Sequence, residues 1–309
     1  MTTKFDNQSW YSISEYLKDK FGSKVVKLAL DGNFTCPNRD GKKGFGGCTF
    51  CSESGSGEFS SNDMQKQISL LKNKWPVSKY IAYFQSHTNT YADVNYLREL
   101  YDKALRSPNI VGIAIATRPD CLPDDVLSLL DEYNKKTFLW VELGLQTVHD
   151  KTAKEINRCY ELSEYDRAVF ELKKRNIRVV THLILGLPGE NKEMIFNSVK
   201  YVCKDDIFGI KLHLLNLVKS SPLALKNPDY VSFNSLDEYV TLVCDLLEII
   251  PENITIHRLT ADTKRSLLIS PEWSYKKRTI LNSIENTLRS RDSYQGKFAH
   301  FSDFNLPSL

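Results

Sequence analysis

Apolar runs bounded by polar or turn-forming residues recur along the chain at intervals of about thirty residues. Runs at 26–30, 80–84, 111–116, 138–143, 179–185 and 210–217 read as buried strands, and each is followed by a helical or mixed segment. Six such units predict an α/β chain built on a parallel sheet. Right-handed β–α–β crossovers make a partial (βα)6 barrel of the TIM type the most economical arrangement, with chemistry at the C-terminal ends of the strands. Ahead of the first strand, Trp10, Ile13, Tyr16 and Leu17 stripe one face of a short helix that would cover the bottom of the sheet. The pattern divides the chain into an N-terminal helical segment (1–24), the barrel (25–218) and a C-terminal α-rich extension (219–309), with no low-complexity linker between them.

Composition adds little that the pattern does not already say. The 309 residues are 41% hydrophobic and 26% charged, ordinary for one large barrel domain or two small ones. The N-terminus lacks the apolar stretch of a signal peptide, and no run approaches the roughly 18 apolar residues of a membrane-spanning helix. A cytoplasmic, reducing setting is therefore expected. Charge changes the picture in one place. The whole chain carries +3, yet residues 258–297 hold nine Lys and Arg against four acids, a net of +5 in that stretch. Lys276, Lys277 and Arg278, beside Trp273, Tyr275 and Tyr294, could track a phosphate backbone and stack bases. The same segment also reads as an amphipathic helix, with Ile280, Leu281, Ile284 and Leu288 packed on the barrel and its charges in water.

The chemistry concentrates in one loop. Cys36, Cys48 and Cys51 stand in a C-x11-C-x2-C spacing after the first predicted strand, with Phe50 before the third cysteine and the run Gly55-Ser56-Gly57-Glu58-Phe59 after it. Iron–sulfur clusters usually take four thiolates, so three would leave one iron of a [4Fe–4S] cube open to bind a substrate. Three thiolates and a histidine, His87 being the nearest, are a second way to complete such a site, as tetrahedral zinc. Cys121, Cys159, Cys203 and Cys244 show no pairing pattern.

The segments DGNFTCPNRDG…GGCTFCSESGSGEF, YFQSHTNTYA (83–92), ATRPDCLPD (116–124), VELGLQT (141–147) with Asn157-Arg158, and HLILGLPGE (182–190) resemble, in order and spacing, the radical SAM proteins of the YhcC/YtqA (MnmL) family. That family is related to the Elongator catalytic subunit. The commoner superfamily spacing is C-x3-C-x2-C; the eleven-residue gap matches this branch. The resemblance implies a [4Fe–4S] cluster on Cys36, Cys48 and Cys51, and S-adenosyl-L-methionine (SAM) chelated by the open iron and cleaved to a 5′-deoxyadenosyl radical. It implies SAM contacts from Gln85 and Ser86, although 85–90 also reads as a capped turn. Phe50 would pack near the adenine or simply cover the cluster. Gln146 and Arg158 have the twelve-residue spacing with which oxygen-independent coproporphyrinogen oxidases contact the SAM ribose and carboxylate, and an arginine fork suits a carboxylate. Glu142 would face the same end of the barrel or pair with a cation. His182 would approach the ribose or adenine, or be a satisfied core histidine. No catalytic side chain is assigned.

The resemblance also implies a substrate: the wobble uridine of tRNA, its carboxymethylaminomethyl group trimmed to aminomethyl. Hydrogen abstraction between nitrogen and carboxylate, oxidation to an imine and hydrolysis would release glyoxylate. Arg118 would grip the substrate carboxylate or a phosphate, or else pair with Asp120. A reducing partner such as flavodoxin or ferredoxin would supply electrons. Two rivals stay open: a radical SAM enzyme for a small molecule or protein would not need the basic tail, and a non-enzymatic cluster- or zinc-bearing RNA-binding module would not need Gln146 and Arg158 at their spacing.

Overall fold

The computed structural model describes residues 5, 8–55, 57–72 and 78–299. Ser56 of the glycine-rich run, the remaining N-terminal residues and 300–309 of the C-terminal extension lie outside the described residues. In chain order the elements are α1 (Ile13–Phe21), β1 (Val25–Leu30), α2 (Met64–Lys72), β2 (Lys79–Phe84), α3 (Val94–Leu105), β3 (Ile110–Thr117), α4 (Asp124–Lys136), β4 (Phe138–Gln146), α5 (Asp150–Glu155), α6 (Leu162–Lys174), β5 (Arg178–Leu185), α7 (Lys192–Cys203), β6 (Gly209–Leu214), β7 (Leu217–Val218), α8 (Pro222–Lys226), α9 (Leu236–Ile249), β8 (Thr255–Arg258), β9 (Leu268–Ser270) and α10 (Lys277–Ser290).

Seven strands form one parallel sheet in the order β1-β2-β3-β4-β5-β6-β8, curled into a half-barrel with helices on its outer face. All six predicted strands are present. The sixth is shorter than the apolar run 210–217 suggested: β6 ends at Leu214, and the chain turns at Asn216, whose amide donates to Thr263 Oγ1 at 2.9 Å, so that β7 can pair with β9 instead. The seventh strand, β8, escaped the pattern because it is only four residues long and three of the four are polar.

Two apolar layers sandwich the sheet. Outside it, helix stripes close a large core, as in α3, where Asp93 caps the N-terminus and Leu97, Tyr101 and Ala104 repeat on one buried face. Inside the curl, Ile81, Ala114, Phe138, Trp140 and Val180 fill the bottom, and Ile13 and Leu17 of α1 plug it. Both sheet edges are covered. Ile256 of β8 donates its N–H to the Tyr11 carbonyl at 2.7 Å, and Ser61 exchanges backbone hydrogen bonds with Ala29 and Asp31 at the edge of β1. The N-terminal segment is tied in turn to the C-terminal region: Ser9 donates to Glu285, and Tyr11 N–H to Gln295 Oε1 at 2.9 Å. In α10, Ile280, Ile284 and Leu288 are buried as expected, while Leu281 faces out. Filling the bottom with side chains and covering the edges leaves the top of the curl as the place where a cavity can open.

Candidate active site

A single cavity at the C-terminal ends of the strands gathers most of the residues singled out from the sequence. Its walls include Cys36, Cys48, Phe50, Cys51, Gln85, His87, Arg118, Glu142, Gln146, Arg158 and His182. Ser86 is not among them. Its hydroxyl lies 2.6 Å from that of Ser60, beneath Gly57, where a Cβ would meet Ser86 Oγ at 2.1 Å. Lys276 and Arg278 stand exposed outside the cavity, and Lys277 pairs with Asp262, which does line it.

The cysteine loop is a folded object. Between Cys36 and Cys48 the chain makes a tight hairpin, with Asp40 bridged to Phe45, and Cys48 to Cys51 is a turn closed by Cys51 N–H to Cys48 O at 3.0 Å. Neighbouring side chains anchor it. Asn38 donates to the Asn157 carbonyl and to Cys48 Sγ at 3.5 Å, and Asn157 donates back to the carbonyls of Phe45 and Gly47 at 3.0 and 2.8 Å. Arg39 wraps the third cysteine by donating to the Ser52 and Glu53 carbonyls. Burial, reinforced by the Cys51 thiol, pushes Cys48 up to about 12; burial also raises Cys51, with Arg39 opposing. Unliganded, these thiols are protonated, and a bound metal must displace their protons. Among the described residues, no three His, Cys, Asp or Glu converge on one ion. A cube distributes its thiolates over separate irons, and three thiols spaced around a wall suit that demand.

The end of β4 is distorted in a way that aims a side chain. The register with β5 slips between Gly144 and Gln146, and Gln146 takes φ 72°, so this bulge turns its amide into the cavity. Arg158, wholly buried, holds the bulge. Its Nη1 donates to Leu145 O at 3.1 Å and Thr147 O at 2.6 Å, its Nε and Nη2 donate to Tyr160 O, and its guanidinium lies 4.4 Å from the Tyr160 ring centre. The fork expected to grip a carboxylate is thus engaged with main-chain carbonyls. Arg118 is engaged likewise: it grips Asp120 with two bonds of 2.9 and 3.0 Å and donates to the Arg158 and Cys159 carbonyls, so of its two expected roles the ion pair is the one observed.

Deeper in, Glu142 pairs with Lys211, and accepts from Tyr83 Oη at 2.6 Å and from Trp140 Nε1 at 3.0 Å. Lys211 holds Glu142 well below the usual carboxylate range despite its burial, while burial drives Lys211 down to about 7. Tyr83, Lys211, His213 and Arg258 also line the cavity, and sequence reading passed over them. The signal was available: Lys211 and His213 are polar residues two apart inside an apolar strand, hence on one face.

Several buried polar atoms in this wall lack partners: Nδ1 of His87, Oε1 of Gln146, Nε2 of His182, Nδ1 of His213 and Oδ1 of Asn216. Buried polar atoms are ordinarily satisfied, so a ring of orphans around three thiols suits a polar ligand held over a cluster.

A family model described as the radical SAM superfamily matches residues 36–202, and one described as the radical SAM C-terminal domain matches 207–290. The chain is 49% identical over 297 residues to the uncharacterized protein YtqA of Bacillus subtilis, covering 94% of this chain and 92% of that one. It is 37% identical over 280 residues to YhcC of Escherichia coli, covering 88% and 90%. A more distant likeness, 27% over 158 residues, covers 49% of this chain and 33% of a tRNA uridine(34) acetyltransferase of Dehalococcoides mccartyi. Among solved structures, the archaeal Elp3 of Methanocaldococcus infernus, lacking residues 1–46, superposes with a TM-score of 0.65 at 17% identity, covering 88% of this chain and 64% of that one.

Proposed function

The chain belongs to the radical SAM superfamily, within the family of YtqA and YhcC, and on that premise we propose that it modifies the wobble uridine of tRNA, converting carboxymethylaminomethyl to aminomethyl. The family uses a [4Fe–4S] cluster and SAM and needs a reductant; here flavodoxin or ferredoxin is the proposed donor, in the cytoplasm. When bound, the two cofactors supply a 5′-deoxyadenosyl radical and, overall, a two-electron oxidant. Cys36, Cys48 and Cys51 would hold the cluster, and Gln146, Gln85 and Phe50 would orient SAM beside it. Glu142, held by Lys211, Tyr83 and Trp140, would not touch SAM itself.

The observation that carries the reading is the cavity itself, where three thiols and unpartnered polar atoms meet at the open ends of parallel strands. Limiting water in that cavity would protect a reactive carbon radical from side reactions. The tRNA part is supported by the distant likeness to a tRNA uridine(34) acetyltransferase and by the exposed Lys276 and Arg278 near the rim, where Arg265 also lies 4.6 Å over the Tyr275 ring. No helix among the described residues is long and apolar enough to cross a membrane.

The test is mass spectrometry of tRNA nucleosides from cells with and without the gene, joined to anaerobic turnover with purified tRNA. Loss of the gene should leave carboxymethylaminomethyluridine unprocessed, and turnover should release one glyoxylate per 5′-deoxyadenosine. Unchanged nucleosides would reject the tRNA reading. Alanine at Cys36, Cys48 or Cys51 should abolish cluster absorbance and iron binding, whereas a retained single zinc would reject the cluster.

A further inference from the structure

The barrel wall carries a buried charge network that the cluster and its three thiols do not require. Midway up the inside of the sheet, Lys211 Nζ donates to Tyr83 Oη at 2.8 Å and to Glu142, which Tyr83 and Trp140 also grip. Directly below, the same wall is filled by Ile81, Phe138 and Val180. A buried ion pair is often no more stabilising than an apolar replacement of the same volume, so placing one at the floor of a cavity invites a ligand role. The charge around it is unbalanced. Lys27, Lys211, Arg258 and Lys277 stand near two carboxylates, Glu142 and Asp262. Among the described residues Lys27 has no carboxylate within ion-pair distance, and it lies 5.0 Å from the Tyr83 ring centre. Beside Lys211, the rings of His182 and His213 sit 5.2 Å apart, each with a buried nitrogen that has no partner. A neutral imidazole can present an N–H there.

We propose that Lys211, His182 and His213 form a subsite for a carboxylate of the substrate, with Glu142 and Tyr83 holding the lysine in place. The identity of that carboxylate as the one on the modified uridine rests on the function proposed above. Arg118, the other cation considered for this role, is already bound to Asp120.

The test measures binding to the reconstituted, unreduced holoenzyme with SAM, by anaerobic equilibrium dialysis, for two probe pairs. One pair is 5-carboxymethylaminomethyluridine and 5-aminomethyluridine; the other is N-benzylglycine and benzylamine. Lys211→Met alone would leave Glu142 buried and unpaired, so the double variant Glu142→Gln/Lys211→Met is used beside it. The readout is the affinity ratio within a pair, which a general loss of folding or SAM binding does not select. The carboxylate member should bind about 10- to 100-fold more tightly, the range of a charge-assisted hydrogen bond, and the double variant should bring the ratio near one. If only the benzyl pair shows this preference, the subsite stands and the uridine reading falls. If neither pair shows it while the nucleosides still bind, the subsite falls and the uridine reading is untouched. A ratio near one in both pairs, or a preference that survives in the double variant, overturns the subsite.

Discussion

Arg158 gives its N–H groups to the carbonyls of Leu145 in the β4 bulge, of Thr147 just beyond it and of Tyr160 in the loop after α5. A lysine could not bridge these carbonyls, because it offers a point charge and no planar fork. Arg158→Lys should therefore lower stability in urea by about 1–3 kcal/mol, the cost of leaving buried polar groups unmade. Gln146→Ala, by contrast, removes a side chain that has an orphan oxygen and should weaken SAM binding while leaving the urea midpoint nearly unchanged. Equal stability losses in the two variants would contradict this division of labour. The resemblance singled out the pair, but its twelve-residue spacing could not say that the Arg158 fork is engaged with backbone carbonyls while Gln146 keeps an unpartnered oxygen at the cavity. His257 offers a test by pH. Burial against Trp140 and Phe208 keeps it neutral, well below its ordinary value, so the unfolded chain takes up a proton on acidification that the folded chain refuses. Its stabilisation is complete above the unfolded value near 6.5 and is lost as pH falls below it, by up to about 2 kcal/mol between pH 7 and 5. Urea melts of His257→Gln should show a shallower acid slope than the parent; an identical slope would mean that other groups govern it.

At the scale of elements, the sequence spoke most clearly where a strand was long and apolar, as in β2 to β5, and least where a short strand drew on distant contacts. β8 is recognisable only through its partners, β6 on one side and the Tyr11–Ser12 segment on the other. The cysteine hairpin was legible as three ligands and a gap, while its anchoring by Asn157, more than a hundred residues away, was not. Close packing between elements yields a further expectation. A Cβ on Gly112 of β3 would stand 2.4 Å from the Phe138 carbonyl oxygen of β4, a backbone atom with little freedom to yield. Gly112→Ala should cost about 1–3 kcal/mol by overpacking and, because it lies at the N-terminal end of its strand, leave cluster content intact. Thermal melts and iron assays on the same preparation decide it; loss of iron without loss of stability would show that the two ends of the barrel are coupled.

The whole molecule joins an open parallel half-barrel to a C-terminal region that supplies one strand of the sheet, one edge support and, over residues 258–297, a local net charge of +5. Composition made that charge legible, but only the fold separates Lys277, tied to Asp262, from Lys276 and Arg278, which face solvent. If these two bind phosphate, Lys276→Gln/Arg278→Gln should flatten the salt dependence of tRNA binding by about 1.4–1.8 in the log–log slope, at roughly 0.7–0.9 for each phosphate no longer neutralised. An unchanged slope would move the tRNA surface elsewhere. The clasp between the two ends of the chain bears on how the protein is made. Tyr11 cannot meet Gln295 until 284 further residues have been added, which at about 5–20 residues per second takes roughly 15–55 s on the ribosome. Through that interval the Ser9–Tyr11 segment lacks its partners Glu285 and Gln295. A nascent chain stalled before residue 285 should therefore be cut by protease near residues 9–12, and release of the finished chain should close that window.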